Sequence, residues 1–97
     1  MRVLIDRRVF KFLNSINLKD SEKAFEYIEL FERFGFGLDQ RYLKKVKGTV
    51  WELRPKNIRL FLIVKPKQVI IHACYKKSQK IRLEDIEVIE RRMREYL

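Results

Sequence analysis

The chain is poor in the residues on which most small catalytic and metal sites are built. Its 97 residues include one cysteine, one histidine, three glycines and two prolines. A single thiol, Cys74, excludes an internal disulfide and a cysteine-rich zinc site, and its place in an apolar run reads as a core thiol. The glycines are scattered at 35, 37 and 48, so there is no phosphate-cradling glycine loop. No His/Cys/Asp cluster stands at metal-ligand spacing, and no carboxylate cluster suggests a two-metal nuclease. Ser15, Ser21 and Ser78 lack the setting of a nucleophile elbow. No apolar run approaches the roughly 20 residues of a membrane span. Arg2, Asp6, Arg7 and Arg8 interrupt the segment where a signal peptide would need its apolar core. The expectation is a cytoplasmic protein, away from the membrane, that uses no metal or cofactor.

Positive charge, in contrast, is abundant. Lys and Arg total 23 against 13 Asp and Glu, a net charge of +10. Such a surface attracts polyanions and releases their counterions on binding, so nucleic acid is the first candidate ligand. An acidic protein partner is compatible with it, whereas a membrane would need a basic helix with a free apolar face. Hydrophobic residues at 46% suffice for a folded core. A chain of this length reads as a single domain, residues 1–97, burying only about 60–65% of its unfolded surface. Any site must therefore lie on the surface or in a shallow groove.

Periodicity gives the elements. Residues 2–5 read as an opening strand. Asp6 can cap a helix carrying Val9, Phe12, Leu13 and Ile16. Residues 17–19 break the pattern, and Asp20 or Ser21 caps a second helix with Ala24, Phe25, Ile28, Phe31 and Phe34 on one face. Gly35 and Gly37 end it. Residues 38–49 read as a basic connection. Three strands follow, 50–54, 58–64 and 69–75, with Pro55 and Pro66 in the turns between them. Residues 83–97 form a last helix with Leu83, Ile86, Ile89, Met93 and Tyr96 or Leu97 along one stripe. The order is βααβββα, an α+β fold: a small antiparallel sheet with two N-terminal helices and a C-terminal helix. The helices are expected on one face of the sheet, leaving the other open.

Strand alternation sorts the polar side chains. Glu52 and Arg54 share a face of their strand. On the next, Arg59, Phe61 and Ile63 share a face opposite the aliphatic set Ile58, Leu60, Leu62 and Val64, which puts Arg59 on the expected open face. An arginine within so apolar a strand is costly unless it is paired, for instance with Glu52, or functional. The third strand runs into Tyr75-Lys76-Lys77-Ser78-Gln79-Lys80 and Arg82, the densest basic stretch in the chain. Lysines there can meet phosphates and the aromatic can stack a base. His72, inside an apolar strand, reads as structural. The chemistry left to such residues is cleavage of RNA without metal, because RNA carries its own nucleophile, the 2′-hydroxyl. The protein would need to orient it, move protons and stabilise the charge on phosphorus.

The run WELRPKNIRLFLIV, followed by IIHACYKKSQKIRLEDIEVIERRMREYL, resembles the RelE/ParE toxin superfamily. It is most similar to the HigB-like, phage-derived host-inhibition branch. The resemblance implies a RelE-like fold and the toxin of a type II toxin–antitoxin system, an mRNA endoribonuclease acting on ribosome-bound message. It implies that Arg54, Arg59, Lys77, Lys80 and Glu52 form the catalytic set. Lys44, Lys45, Lys47, Tyr75, Lys76, Gln79 and Arg82 would hold RNA. A cognate antitoxin of helix-turn-helix type, mRNA and the ribosome are the implied partners. The superfamily also holds inhibitors of DNA gyrase, and the same fold could serve as an RNA- or ribosome-binding module without chemistry. The late His-Tyr pair of some members is missing here.

Overall fold

In the computed structural model, which describes residues 2–97, the chain runs β1 (Leu4–Ile5), α1 (Arg7–Leu13), α2 (Leu18–Phe34), β2 (Leu43–Lys47), β3 (Val50–Leu53), β4 (Ile58–Ile63), β5 (Val69–Tyr75) and α3 (Leu83–Glu95). This is the expected α+β order with one more strand, β2, where the sequence suggested a connection. Local chemistry sets the boundaries. The Asp6 carboxylate accepts from the Arg8 backbone N–H and starts α1. Asn17 caps α2 by accepting from the Asp20 N–H, three or four residues earlier than the expected Asp20 or Ser21. Gly35 ends α2 at φ 56°, a conformation that favours glycine.

The five strands form one sheet in the order β1-β5-β4-β3-β2. Strands β2 to β5 make an antiparallel meander, and β1 adds to β5 in parallel. The turn between β4 and β5 contains a cis Lys65–Pro66 bond. Val9, Leu13, Ala24, Ile28 and Phe31 of α1 and α2 pack on Leu53 and on Ile58, Leu60 and Leu62, with Val64 partly buried beside them, so the aliphatic set of β4 faces these helices as the alternation assigned it.

The opposite face is not left open. Ile89 and Met93 of α3 and Tyr96, its C-cap, pack there on Val50, Phe61, Ile63, Val69 and Ile71, so the helices sandwich the sheet. The reason is visible in β4, all six of whose residues are buried: Phe61 and Ile63 give its second face enough apolar surface to need a cover of its own. The buried stripe of α3 is shorter than expected, since Leu83 is 71% exposed, Ile86 37% and Leu97, beyond the helix, 87%. The end of α3 is tied back to the start of the chain. The Tyr96 hydroxyl donates to Asp6 Oδ2 at 2.6 Å, and Arg8 pairs with both Asp6 and Glu95. Arg8 first, then Tyr96, hold the Asp6 carboxyl well below the usual carboxylate range. Among the described residues no helix is long and apolar enough to cross a membrane.

Candidate functional site

Strand pairing brings the predicted polar residues together on the α3 side of the sheet. Glu52 lies opposite Phe61 and Arg59 is two residues along β4, a diagonal neighbour within reach of long side chains. Arg59 Nε stands 3.2 Å from Glu52 Oε2, and both residues are 5% exposed. The contact is a charge pair whose alignment leaves Nε without a well-directed acceptor. The rest of the grip is sideways: Arg59 Nη2 donates to the carbonyls of Ser78 (2.8 Å) and Gln79 (2.7 Å). Arg59 is therefore not on an open face. It is buried, paired with Glu52, and holds the loop that follows β5.

An open cleft of about 240 Å³ lies over this pair. The buried pair and Ile58 form its floor, and Arg41, Arg54, Lys56 and Lys76 surround it, so five cationic side chains meet one carboxylate there. Three pieces of backbone supply the ring. Arg54 leaves the end of β3 and is braced by donating to the Gln40 carbonyl at 3.0 Å. Lys56 comes from the β3–β4 turn, and Lys76 follows β5, its N–H bonded to the Asn57 carbonyl at 2.8 Å. Arg41 is oriented by Asp39, which its guanidinium meets at 2.9 Å. A phosphodiester placed here would meet forked and point cations from several sides, and their clustering raises the local potential.

Arg41 and Lys56 were not among the sequence-derived site residues. Both lie in turns, where no periodicity marks them. The one signal for Lys56 is its position between the strands that carry Arg54 and Arg59.

Lys77 and Lys80 do not line this cleft. They border a second, smaller depression on the far side of Arg59, with Cys74, Ile81, Arg82 and Asp85. Its room, about 10 Å³, amounts to a single water. The Gln79 side chain is exposed, and its carbonyl serves Arg59. Tyr75 turns its ring edge-on to Phe12 of α1, 5.7 Å between centroids. Arg82 is engaged by Glu84 (3.0 Å) and Asp85 (3.3 Å) at the start of α3. Lys44, Lys45 and Lys47 are exposed on β2, the sheet's edge strand, where lysine also guards against edge-to-edge pairing.

His72 faces α3 and not the cleft. A bulge at Phe61–Leu62 of the β4–β5 pairing lets Ile71 and His72 point to the same side. Its Nε2 meets Asp85 Oδ1 at 2.8 Å and its ring stacks on Phe61. Burial pushes its pKa down, against the pull of Asp85, which favours a neutral ring donating Nε2–H to the carboxylate. Burial would raise the Asp85 carboxyl, but bonds from His72 and Arg82 hold it below its ordinary value.

Cys74 also lies close, so donor atoms of His72, Cys74 and Asp85 come within 4.8 Å of one another. Linear spacing gave no sign of this cluster, because Asp85 arrives from another element. It does not fit a cation well. His72 and Asp85 already satisfy each other, and burial pushes the thiol up to about 12. The guanidinium groups of Arg59 and Arg82 stand near that thiol.

Comparison with known families adds one finding. A model of the family described as phage derived protein Gp49-like (DUF891) matches residues 11–94. No curated protein matches the chain significantly.

Proposed function

The chain belongs to the Gp49-like phage-derived family, a RelE/HigB-like toxin family, and from that premise we propose that it is the toxin of a toxin–antitoxin pair and cuts ribosome-bound mRNA. The observation that carries this reading is the cleft, in which five cationic side chains surround one carboxylate. In the reaction the 2′-oxygen attacks the adjacent phosphorus and the P–O5′ bond breaks. The products are a 2′,3′-cyclic phosphate and a 5′-hydroxyl. The 2′-hydroxyl proton passes to a base, for which Glu52 is the carboxylate at hand, and the departing 5′-oxygen takes up a proton. Arg54, Lys56, Lys76 and Arg41 neutralise the phosphate as charge accumulates on its oxygens. Lys77 and Lys80 act from beyond the Arg59 wall, on the neighbouring phosphates. A target on the ribosome places the work in the cytoplasm. The partner is a cognate antitoxin of helix-turn-helix type that lays an acidic segment over the cationic ring.

One observation favours a second reading. Arg59 is buried, neutralises Glu52 and spends its donors on loop carbonyls. A carboxylate so buried and engaged has little access to a 2′-hydroxyl, as expected of an RNA- or ribosome-binding protein of this fold without chemistry. Induced expression of the wild type, Arg54→Ala and Lys76→Ala, with primer extension on abundant mRNAs, decides between them. New 5′ ends in the wild type, lost in both variants, support the nuclease. Arrest with intact mRNA and ribosome co-sedimentation supports the binding module. Arrest with an SOS response points to gyrase, and no arrest overturns the toxin reading.

A further inference from the structure

The cleft leaves unused a set of side chains on the α2 side of the sheet edge. Four aromatic rings lie there in two pairs. Tyr27 of α2 meets Tyr42 at 5.3 Å between centroids, and Phe36 meets Trp51 at 4.9 Å. The pairs are neighbours. Tyr27 is one helical turn from Phe31, on the same face of α2, and Phe31 supports Phe36 edge-on at 5.5 Å. Phe36 is thus fixed from beneath, yet 47% exposed. Each pair carries a cation: Arg41 stands 5.7 Å from the Tyr42 centroid and Lys45 Nζ 6.0 Å from that of Trp51. Trp51 is half-buried against the core, and the lysine beside its ring is exposed.

The composition of this ledge selects its ligand. An acidic peptide would match the cations and leave the rings in water. An apolar protein surface would cover the rings and strip water from Arg41 and Lys45. A single-stranded nucleic acid offers flat π-faces and phosphates together, the combination bound by aromatic platforms with adjacent cations. Arg41 also lines the cleft, so one strand can run from cleft to ledge without a break. Resting on the reading of the cleft as an RNA site, we infer that Phe36, Trp51 and Tyr42 stack bases of the single-stranded RNA flanking the scissile phosphate, and that Lys45 moves from the Trp51 ring to a phosphate as a base takes its place.

Trp51 is the chain's one tryptophan, so its emission reports on the ledge directly. The full-length protein is titrated with a labelled 2′-O-methyl hexa-adenylate, which cannot be cleaved, and separately with inorganic polyphosphate and polyglutamate. Label anisotropy gives affinity, and tryptophan emission gives stacking. The expected result is strong quenching by the oligonucleotide and none by polyphosphate. Phe36→Leu should bind roughly fivefold or more weakly. Lys45→Gln, a surface change that leaves the fold intact, should bind about two- to threefold more weakly. Oligonucleotide binding with unchanged emission and unaffected variants would overturn the ledge alone, because the primer-extension test of Arg54 and Lys76 is independent of it. Quenching by polyglutamate and not by RNA would make it a protein dock. No oligonucleotide binding would also overturn it, leaving the cleft to stand or fall by mRNA cleavage.

Discussion

Replacing Arg59 by alanine should be among the most damaging single changes in this protein. The substitution strands the Glu52 carboxylate, 5% exposed, without its counter-charge. It also removes the donor that holds the Ser78 and Gln79 carbonyls. Breaking a buried pair from one side costs about 3–5 kcal/mol, because the surviving charge stays desolvated. Small domains have a total stability of roughly 5–15 kcal/mol. At about 4–8 °C per kcal/mol for a chain of this size, the melting point should fall by roughly 12–40 °C. The double variant Glu52→Leu with Arg59→Met removes the stranded charge together with its partner. It should regain most of the loss, as apolar replacement of whole buried pairs often does. Thermal and urea unfolding followed by far-UV circular dichroism would read both. An Arg59→Ala melting point within about 3 °C of wild type would refute the reasoning, and so would a double variant no more stable than the single one. Lost toxicity in Arg59→Ala carries no catalytic meaning until this is known.

Two further outcomes follow from the network around α3. Burial sets the His72 pKa in the fold below 6.5, so the unfolded chain binds more protons as pH drops beneath that value. The stabilisation from a neutral His72 is complete above pH 6.5 and declines as pH falls toward the folded value. Wild type should therefore melt lower at about pH 5.5 than at about pH 7.5, and His72→Gln should show a smaller fall, with equal falls counting against the assignment. Tyr96→Phe deletes the 2.6 Å hydroxyl bond to the Asp6 carboxylate. The loss should be about 1–2 kcal/mol by urea unfolding, with faster amide exchange in the last turn of α3, and an unchanged midpoint would show the bond to be idle.

Much of the fold could be read from the residues that face its core. The β5 boundaries, the Asp6 cap and the assignment of Leu60 and Leu62 to the helices all follow from alternation, capping chemistry and apolar runs. The strand β2 was hidden because four of its five residues are exposed lysines and valine, the composition of an edge. The position of α3 was hidden for a different reason. Alternation separates two faces of a strand but does not say which element covers each. In the site, spacing left Arg59 either paired, for instance with Glu52, or functional on an open face, and the register of β3 on β4 decides for the buried pair. The separation of Lys77 and Lys80 from the cleft could not be read from spacing, since it depends on where Arg59 holds the loop. Arg41 and Lys56 reach the cleft from turns, through contacts between distant parts of the chain.

The pairing of the first strand with the last has a consequence in time. On a translating ribosome, Leu4 and Ile5 have no partner until Val69 and Ile70 have been made. The two N-terminal helices likewise wait for β4, whose residues they bury. Contacts so far apart in sequence close late and together. Lys76, one wall of the cationic cleft, emerges later still, so a nascent chain carries a partial set of cations until β5 is complete. The cleft can be completed only after β5 has been made, and until then the ribosome making the chain is exposed to an unfinished site.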